Sequence, residues 1–287
     1  METFLTLTLS GLATGMMIFL LASGLSLIFG LMGVLNFAHG SLFMVGGYTG
    51  VVVFARSGSF TLALLTGMLA GMLVGWLIER LTVRRVYGNA IAQILITTGV
   101  MIVLNELVKA VFGPDIIASP VPPLLAGSWA MGGVVFIKYR LFTIGVGLLV
   151  ASVVHLLLTR TRVGLIVRAG VENPEMVQVL GINIKRVFSL VFAFGAALAA
   201  LGGVMMAPAI GAINPEMGLQ NQMLAFIVVV IGGMGSFLGS ALGSILVGLA
   251  GAYTAWFLPE ASLAVNVILM AVVLLLRPSG LFGMGGE

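Results

Sequence analysis

Three residues that could do chemistry, Asn36, His39 and Gly40, lie inside an otherwise apolar stretch, GVLNFAHGSLFMVGGY. An unpaired backbone polar group in lipid costs several kcal/mol, so non-helical backbone at membrane depth must be buried in protein or line a cavity. Asn36 and His39 would share a face if the turn between them is helical. Hydrogen-bonding side chains at such depth favour a path for a polar solute. The alternative is structural: both side chains only cap a broken helix and pack against a neighbour.

Polar residues interrupt other apolar segments as well. Gln93 and Thr97 lie four residues apart on one of them, and so on one face of a helix. They join the candidates for lining the same path. Further candidates, for the path or for an interface, are Asn221, Gln222 and Asn266.

The sequence lacks the motifs of common catalytic and metal sites. It contains no G-x-x-x-x-G-K-[ST] loop for nucleotide phosphates, no H-E-x-x-H pair and no cysteine. The two histidines, His39 and His155, are far apart, and neither has an obvious nucleophile partner. We therefore predict no catalytic residue, no metal site and no cofactor on this chain.

The composition is that of a membrane protein. Of the 287 residues, 60% are hydrophobic and 8% are charged, whereas soluble domains carry about 25% charged residues. So few charges cannot cover a water-exposed surface, which predicts an all-α polytopic membrane protein. The net charge of +4 fits basic cytoplasmic loops and gives no reason to expect nucleic-acid binding.

The apolar segments are long enough for about nine crossings, with a range of about eight to ten, because a bilayer core takes about 20 residues per helix. A helix is predicted to be broken near residues 33–40, where the polar residues lie. All segments form a single membrane domain, residues 1–287. The predicted spans are residues 4–30, 38–55, 60–78, 90–112, 140–158, 187–209, 220–235, 237–256 and 262–276.

The basic residues predict the orientation. Arg80, Arg84 and Arg85 form one cluster, and a second lies within residues 159–186. Two spans separate the clusters, so both are predicted to face the cytoplasm. The N-terminus and the long loop at residues 113–139 then lie outside, and residues 159–186 form the one sizeable cytoplasmic loop.

This cytoplasmic loop contains a short helix with clear end signals. Asn173 is a good N-cap, Pro174 suits the first helical position, and Glu175 suits the positive end of the helix dipole. Gly181 sits where a left-handed C-cap belongs, so the helix is predicted over 174–180. It is too short to be stable alone and needs a surface, either the bilayer or a soluble partner. Its apolar side consists of Met176, Val179 and Leu180.

Several segments resemble LivH-type permeases of branched-chain amino acid ABC importers. EMVQVLG has Glu175 and Gly181 spaced as in the E-A-A-x-x-x-G loop of ABC importer permeases, although Met176 and Val177 replace the two alanines. GLSLIFGLMGVLNFAHGSLFMVGGY resembles the N-terminal signature of the LivH type. Similar stretches extend the resemblance over nearly the whole chain: LGINIKRVFSLVFAFGAALAALGGVMMAP, IVVVIGGMGSFLGSALGSILVG and RPSGLFG.

The resemblance implies an importer built from several chains. A second, LivM-type permease would pair with this chain within the membrane lipid, and two cytoplasmic ATPases that bind ATP and Mg would drive transport. An extracytoplasmic binding protein would deliver a branched-chain amino acid or a related small polar solute. This chain would be a non-enzymatic, multi-pass subunit of the bacterial inner membrane, with residues 173–181 as the coupling helix that receives motion from an ATPase.

Three alternatives remain open at this point. The same permease type serves urea, amides or aromatic acids, so the substrate is not fixed. An ion-driven secondary transporter would need buried carboxylates or discontinuous helices at the midplane in paired repeats. No repeat pair is visible in the sequence, and the best such carboxylate, Glu106, is expected to pair with Lys109. A structural scaffold would not need the capped cytoplasmic helix.

Overall fold

The computed structural model describes residues 2–131, 134–262 and 264–283 and is predominantly helical. Within these ranges, nine helices coincide with the nine predicted spans, and six of them are long and apolar enough to cross a membrane. The predicted all-α membrane fold is confirmed. The helices are α1 (Glu2–Met32), α2 (His39–Ser57), α3 (Phe60–Leu81), α4 (Ala90–Phe112), α5 (Lys138–Arg160), α6 (Arg162–Glu172), α7 (Pro174–Val179), α8 (Ile184–Ile210), α9 (Met217–Gly232), α10 (Phe237–Phe257) and α11 (Ala264–Leu276).

Two small antiparallel sheets lie at one end of the helix bundle. β1 (Ile117–Ala118) pairs with β4 (Ala212–Ile213), and β2 (Ser128–Met131) pairs with β3 (Val134–Ile137). The first sheet joins the loop after α4 to the loop after α8. The loop predicted at residues 113–139 therefore contains three short β-strands, which were not predicted from its sequence.

The most buried helices are α1 and α8, which pack against each other. α8 also packs against α2 and α3, and α1 against α10. A Cβ atom at Gly24 of α1 would overlap the Gly195 carbonyl oxygen of α8, so this contact requires glycine. Lipid supplies no hydrophobic drive for helix association, and such close backbone approach gains van der Waals contact instead.

One end of the bundle carries most of the positive charge, and we call it the basic end. The Arg84 side chain donates to the Lys185 carbonyl, which brings the end of α3 to the start of α8. Gly170 of α6 lies beside Leu31, at the end of α1. Both predicted basic clusters therefore lie at this end. It holds nine of the thirteen Lys and Arg residues, namely Arg80, Arg84, Arg85, Arg160, Arg162, Arg168, Lys185, Arg186 and Arg277.

Residues 33–38 form a re-entrant link between two antiparallel helices. α1 ends at Met32, and Gly33 has a positive φ of 61°, which turns the chain back. α2 begins at His39, whose Nε2 lies 3.0 Å from the Leu21 carbonyl oxygen, eleven residues before the end of α1. At 1.5 Å per residue, α2 thus begins about 16 Å from the basic end of α1. The predicted interruption is confirmed, as a chain reversal rather than a kink within one helix.

A second re-entrant link, residues 211–216, connects α8 to α9. α9 begins at Met217, three residues before the predicted span, beside the start of α2. A Cβ atom on Gly40 would overlap the Gly218 carbonyl oxygen. α2 and α9 therefore begin at one place inside the bundle and run to opposite ends.

Candidate functional site

The first re-entrant link meets α2, α4 and α9 in a network of uncharged polar groups, which we call the polar junction. It consists of Asn36, His39, Gly40, Thr97 and Gln222, all of them buried. These residues come from the first link and from α2, α4 and α9, and His39 also contacts α1. Four of the five, all but Gln222, are among the path residues predicted from the sequence.

Thr97 of α4 holds the middle of the first link. Its Oγ1 accepts a hydrogen bond of 3.2 Å from the Phe37 backbone N–H and donates to the Gln93 carbonyl at 2.7 Å. Within the link, Asn36 Oδ1 accepts from the Ala38 N–H at 3.0 Å. The non-helical backbone thus obtains the internal partners that membrane depth requires.

Gln222 of α9 closes the junction from the other side. Its Oε1 accepts from the Gly40 N–H in the first turn of α2, and its Nε2 donates to the Asn36 carbonyl at 3.4 Å. The backbones of Gly40 and Gly218 are in contact at this point. One amide side chain therefore joins α9 to the first link and to the start of α2.

Two buried nitrogen atoms of the junction have no hydrogen-bond partner among the described residues: Asn36 Nδ2 and His39 Nδ1. The other ring nitrogen of His39, Nε2, faces the Leu21 carbonyl at 3.0 Å, so it carries the proton and Nδ1 is left as an acceptor. One donor and one acceptor thus remain for hydrogen bonds to another polar group. No charged side chain belongs to the junction, so its chemistry is neutral hydrogen bonding.

The structure places Gln93 outside the junction. It lies one turn from Thr97 on the same face of α4, and its Nε2 donates to the Val86 carbonyl at 3.3 Å. Gln222 was only a general candidate in the sequence. Its partners are more than 180 residues away, so only the fold reveals its role. The one available signal was an amide inside an apolar helix.

The structural alternative for Asn36 and His39 has support in this geometry. Asn36 stabilises the turn before α2 through its own side chain, although Ala38, not Asn36, is the N-cap residue. Contact of either residue with a transported solute stays a prediction.

A second candidate site is the short helix α7 at the basic end, which we call the knob, residues 173–181. Asn173 Oδ1 accepts from the Met176 N–H at 2.9 Å, and Glu175 lies in the first turn. Gly181, with φ of 81°, ends the helix in a Schellman motif: its N–H donates to the Gln178 carbonyl, and the Ile182 N–H donates to the Val177 carbonyl. The predicted end signals at Asn173 and Gly181 are confirmed.

The predicted boundaries of the knob need two small corrections. The helix runs over Pro174–Val179, and Leu180 is the C-cap residue rather than the last helical residue. The loop at residues 159–186 also contains α6, which the sequence analysis did not predict, and α8 begins at Ile184 instead of residue 187.

The apolar side of the knob faces outward. Met176, Val179 and Leu180 are 57%, 81% and 72% exposed, whereas Val177 is buried against the rest of the chain. Exposed apolar side chains grouped on one side of a capped helix are typical of a binding surface.

The chain shows clear similarity to known transport proteins. The family model described as "Branched-chain amino acid transport system / permease component" matches residues 7–276. The high-affinity branched-chain amino acid transport system permease protein BraD of Pseudomonas aeruginosa is 33% identical over 98% of this chain and 96% of its own length. The corresponding LivH protein of Escherichia coli is 31% identical over the same shares. A more distant relative, the fructose import permease protein FrcC of Rhizobium meliloti, is 27% identical over 63% of this chain and 51% of its own.

The family match over residues 7–276 includes both re-entrant links and the knob. Together with the apolar helices, these relatives make this chain a multi-pass transport subunit of the bacterial inner membrane. The chain belongs to the family of permease components of branched-chain amino acid transport systems.

Proposed function

We propose that this chain is one of two permeases in an ABC importer for branched-chain amino acids or related small polar solutes. A LivM-type permease completes the membrane path, an extracytoplasmic binding protein delivers the solute, and two ATPases hydrolyse ATP with Mg. The similarity to BraD and LivH, both permeases of high-affinity branched-chain amino acid transport systems, supports the substrate class.

The observation that carries the proposal is the exposed apolar side of the knob. Met176, Val179 and Leu180 lie next to each other at the basic end, the end that positive charge assigns to the cytoplasm. A cytoplasmic ATPase that covers them would gain about 1.5–3 kcal/mol for each side chain fully buried. The same groups lying on the bilayer would gain similar energy, so the partner must be tested directly.

In this proposal the polar junction borders the solute path. Binding of ATP moves the knob, and that movement shifts the equilibrium between closed and open arrangements of the two re-entrant links. A ligand or partner shifts such an equilibrium only by its differential affinity for the two states. Asn36, His39, Gly40 and Thr97 supply neutral hydrogen-bonding groups, and Gln93 continues the same face of α4.

Reconstitution of all the chains in proteoliposomes tests the proposal. We expect ATP-dependent uptake of radiolabelled leucine in the presence of the binding protein, and no ATP hydrolysis by the purified permease alone. Labelled urea, phenylalanine and fructose distinguish the other substrate classes. ATP hydrolysis by this chain alone, or uptake driven by an ion gradient without ATPases, would contradict the proposal.

A further inference from the structure

A fully buried carboxylate lies where α3 ends at the basic end. Glu79 has an exposed fraction of 0%. A buried carboxylate is costly unless it is paired and hydrogen-bonded. The groups that satisfy Glu79 therefore fix the geometry around it, and we call this set the Glu79 cluster: Glu79, Arg84, Tyr87, Lys185 and Ser189.

Both carboxylate oxygens are occupied. Oε1 accepts from Arg84 Nε at 3.2 Å and from the Tyr87 hydroxyl at 2.5 Å, and Oε2 accepts from Ser189 Oγ at 2.6 Å. Burial, with the hydrogen bond to Glu79, raises the pKa of the Tyr87 hydroxyl, so Tyr87 stays a neutral donor at physiological pH. The carboxylate thus joins the end of α3 to two residues of the segment after it, Arg84 and Tyr87, and to the second turn of α8.

Arg84 makes a second set of bonds to α8. Its Nη2 donates to the Lys185 carbonyl at 3.1 Å and to Ser189 Oγ at 2.8 Å. The Tyr87 ring also packs edge-on against Phe188, with centroids 5.4 Å apart. The first two turns of α8 are therefore held to α3 and to the loop after it by charge-assisted hydrogen bonds, which are stronger than neutral ones.

The knob lies immediately before the first two turns of α8, the part that is hydrogen-bonded to α3 and the loop after it. Only residues 180–183 separate α7 from α8, and they are themselves fixed by the Schellman motif and by Asn183, whose Oδ1 accepts from the Arg186 N–H at 3.3 Å. α8 then runs through the core in contact with α1, α2 and α3. A displacement of the knob reaches the start of α8 through a short connection.

We propose that Glu79 is a positioning residue for transport: its carboxylate makes α3 and the first two turns of α8 move together, so that displacement of the knob reaches both helices. This inference rests on the function proposed above. Without the Glu79 cluster, the start of α8 would bend locally, and less of the displacement would reach the bundle interior.

The test measures leucine uptake and ATP hydrolysis by the complete importer in proteoliposomes. Glu79→Gln preserves the shape of the side chain but removes its charge and one of its two acceptor oxygens. We expect uptake per ATP hydrolysed to fall about tenfold, within the range reported for loss of coupling between sites. The matched control is Arg80→Gln in the same turn of α3, whose guanidinium lies 5.1 Å from the centre of the Trp76 ring; it should leave this ratio unchanged.

A second variant and a local measurement separate coupling from folding. The double variant Tyr87→Phe/Ser189→Ala keeps the ion pair of Glu79 with Arg84 and carries the test if Glu79→Gln does not assemble. Hydrogen exchange of the amides at residues 185–192 should become faster in both variants and not in Arg80→Gln. An unchanged ratio of uptake to hydrolysis in assembled variants overturns the inference. Failure of the unmutated importer to take up leucine with ATP would instead overturn the proposed function.

Discussion

At the scale of single residues, the polar junction shows which part of a site a sequence reveals. Asn36, His39 and Gly40 stand out because polar groups and a glycine interrupt an apolar run. Thr97 and Gln222 also interrupt apolar segments, but their contact with the link follows only from the packing of α4 and α9. Glu79 was missed for a related reason: a carboxylate near three arginines suggests a solvated surface, and only the fold shows that it is buried.

Gln222→Leu should destabilise the permease. The substitution removes the side-chain acceptor of the Gly40 N–H, whereas the Asn36 carbonyl still accepts from the His39 N–H at 3.3 Å. One unsatisfied buried N–H costs about 1–3 kcal/mol, so the Tm of the purified chain in detergent should fall by several degrees. Asn221→Leu is the matched control, because the Asn221 side chain bonds the Met217 carbonyl of its own helix at 2.8 Å. Equal Tm values for the two variants would show that Gln222 does not hold α9 to the first link.

His39→Ala should reduce transport without releasing the ATPases. The change removes a buried ring from the polar junction, while the knob is left intact. Loss of one buried hydrogen bond changes an equilibrium constant by about tenfold. We therefore expect the rate of leucine uptake to fall by about the same factor. The exposed His155→Ala is the control. If the His39→Ala importer folds, assembles and takes up leucine normally, His39 does not contribute to the solute path.

At the scale of elements, helix ends were easier to predict than helix roles. The ends of α7 follow from Asn173 and Gly181, which act locally through backbone hydrogen bonds. α6 was not predicted, although its apolar and polar residues recur with helical periodicity; its buried positions include Gly164, Val167 and Gly170. The re-entrant course of the two links depends on contacts between distant helices, so sequence periodicity predicts an interruption but not a reversal.

Leu180→Asp should weaken the association of the ATPases with the permeases. Leu180 is 72% exposed on the knob, so the charge is tolerated in the isolated chain but would be costly in a desolvated contact. Losing the burial of one leucine is equivalent to about 1.5–3 kcal/mol, which is more than tenfold in affinity. Co-purification of the ATPases measures the effect. Val163→Asp places the same charge on an exposed apolar residue of α6 and is the control.

Two outcomes would remove the knob from the coupling mechanism. One is full retention of the ATPases and of leucine uptake by Leu180→Asp. The other is an equal loss with Val163→Asp, which would favour docking of the whole loop on the bilayer surface over insertion of the knob into an ATPase.

At the scale of the whole molecule, the two ends differ in charge and in construction. The basic end carries nine of the thirteen Lys and Arg residues together with α6 and the knob. The opposite end carries both small sheets, with Lys138 Nζ stacked 5.4 Å from the centre of the Trp129 ring. The local ion pair predicted between Glu106 and Lys109 is present at 2.8 Å and is exposed. An exposed pair of this kind contributes little to stability.

The difference between the ends predicts the orientation in the membrane, because positive loops stay in the cytoplasm. Ser128→Cys places a thiol on β2 at the opposite end, and Met176→Cys places one on the exposed side of the knob. The native chain has no cysteine, so each variant carries a single thiol. In intact cells, a membrane-impermeant maleimide should label Ser128→Cys, and Met176→Cys should react only after the membrane is opened. The reverse pattern would place the knob outside, where no cytoplasmic ATPase can reach it, and both the proposed coupling and the role of Glu79 would then fail.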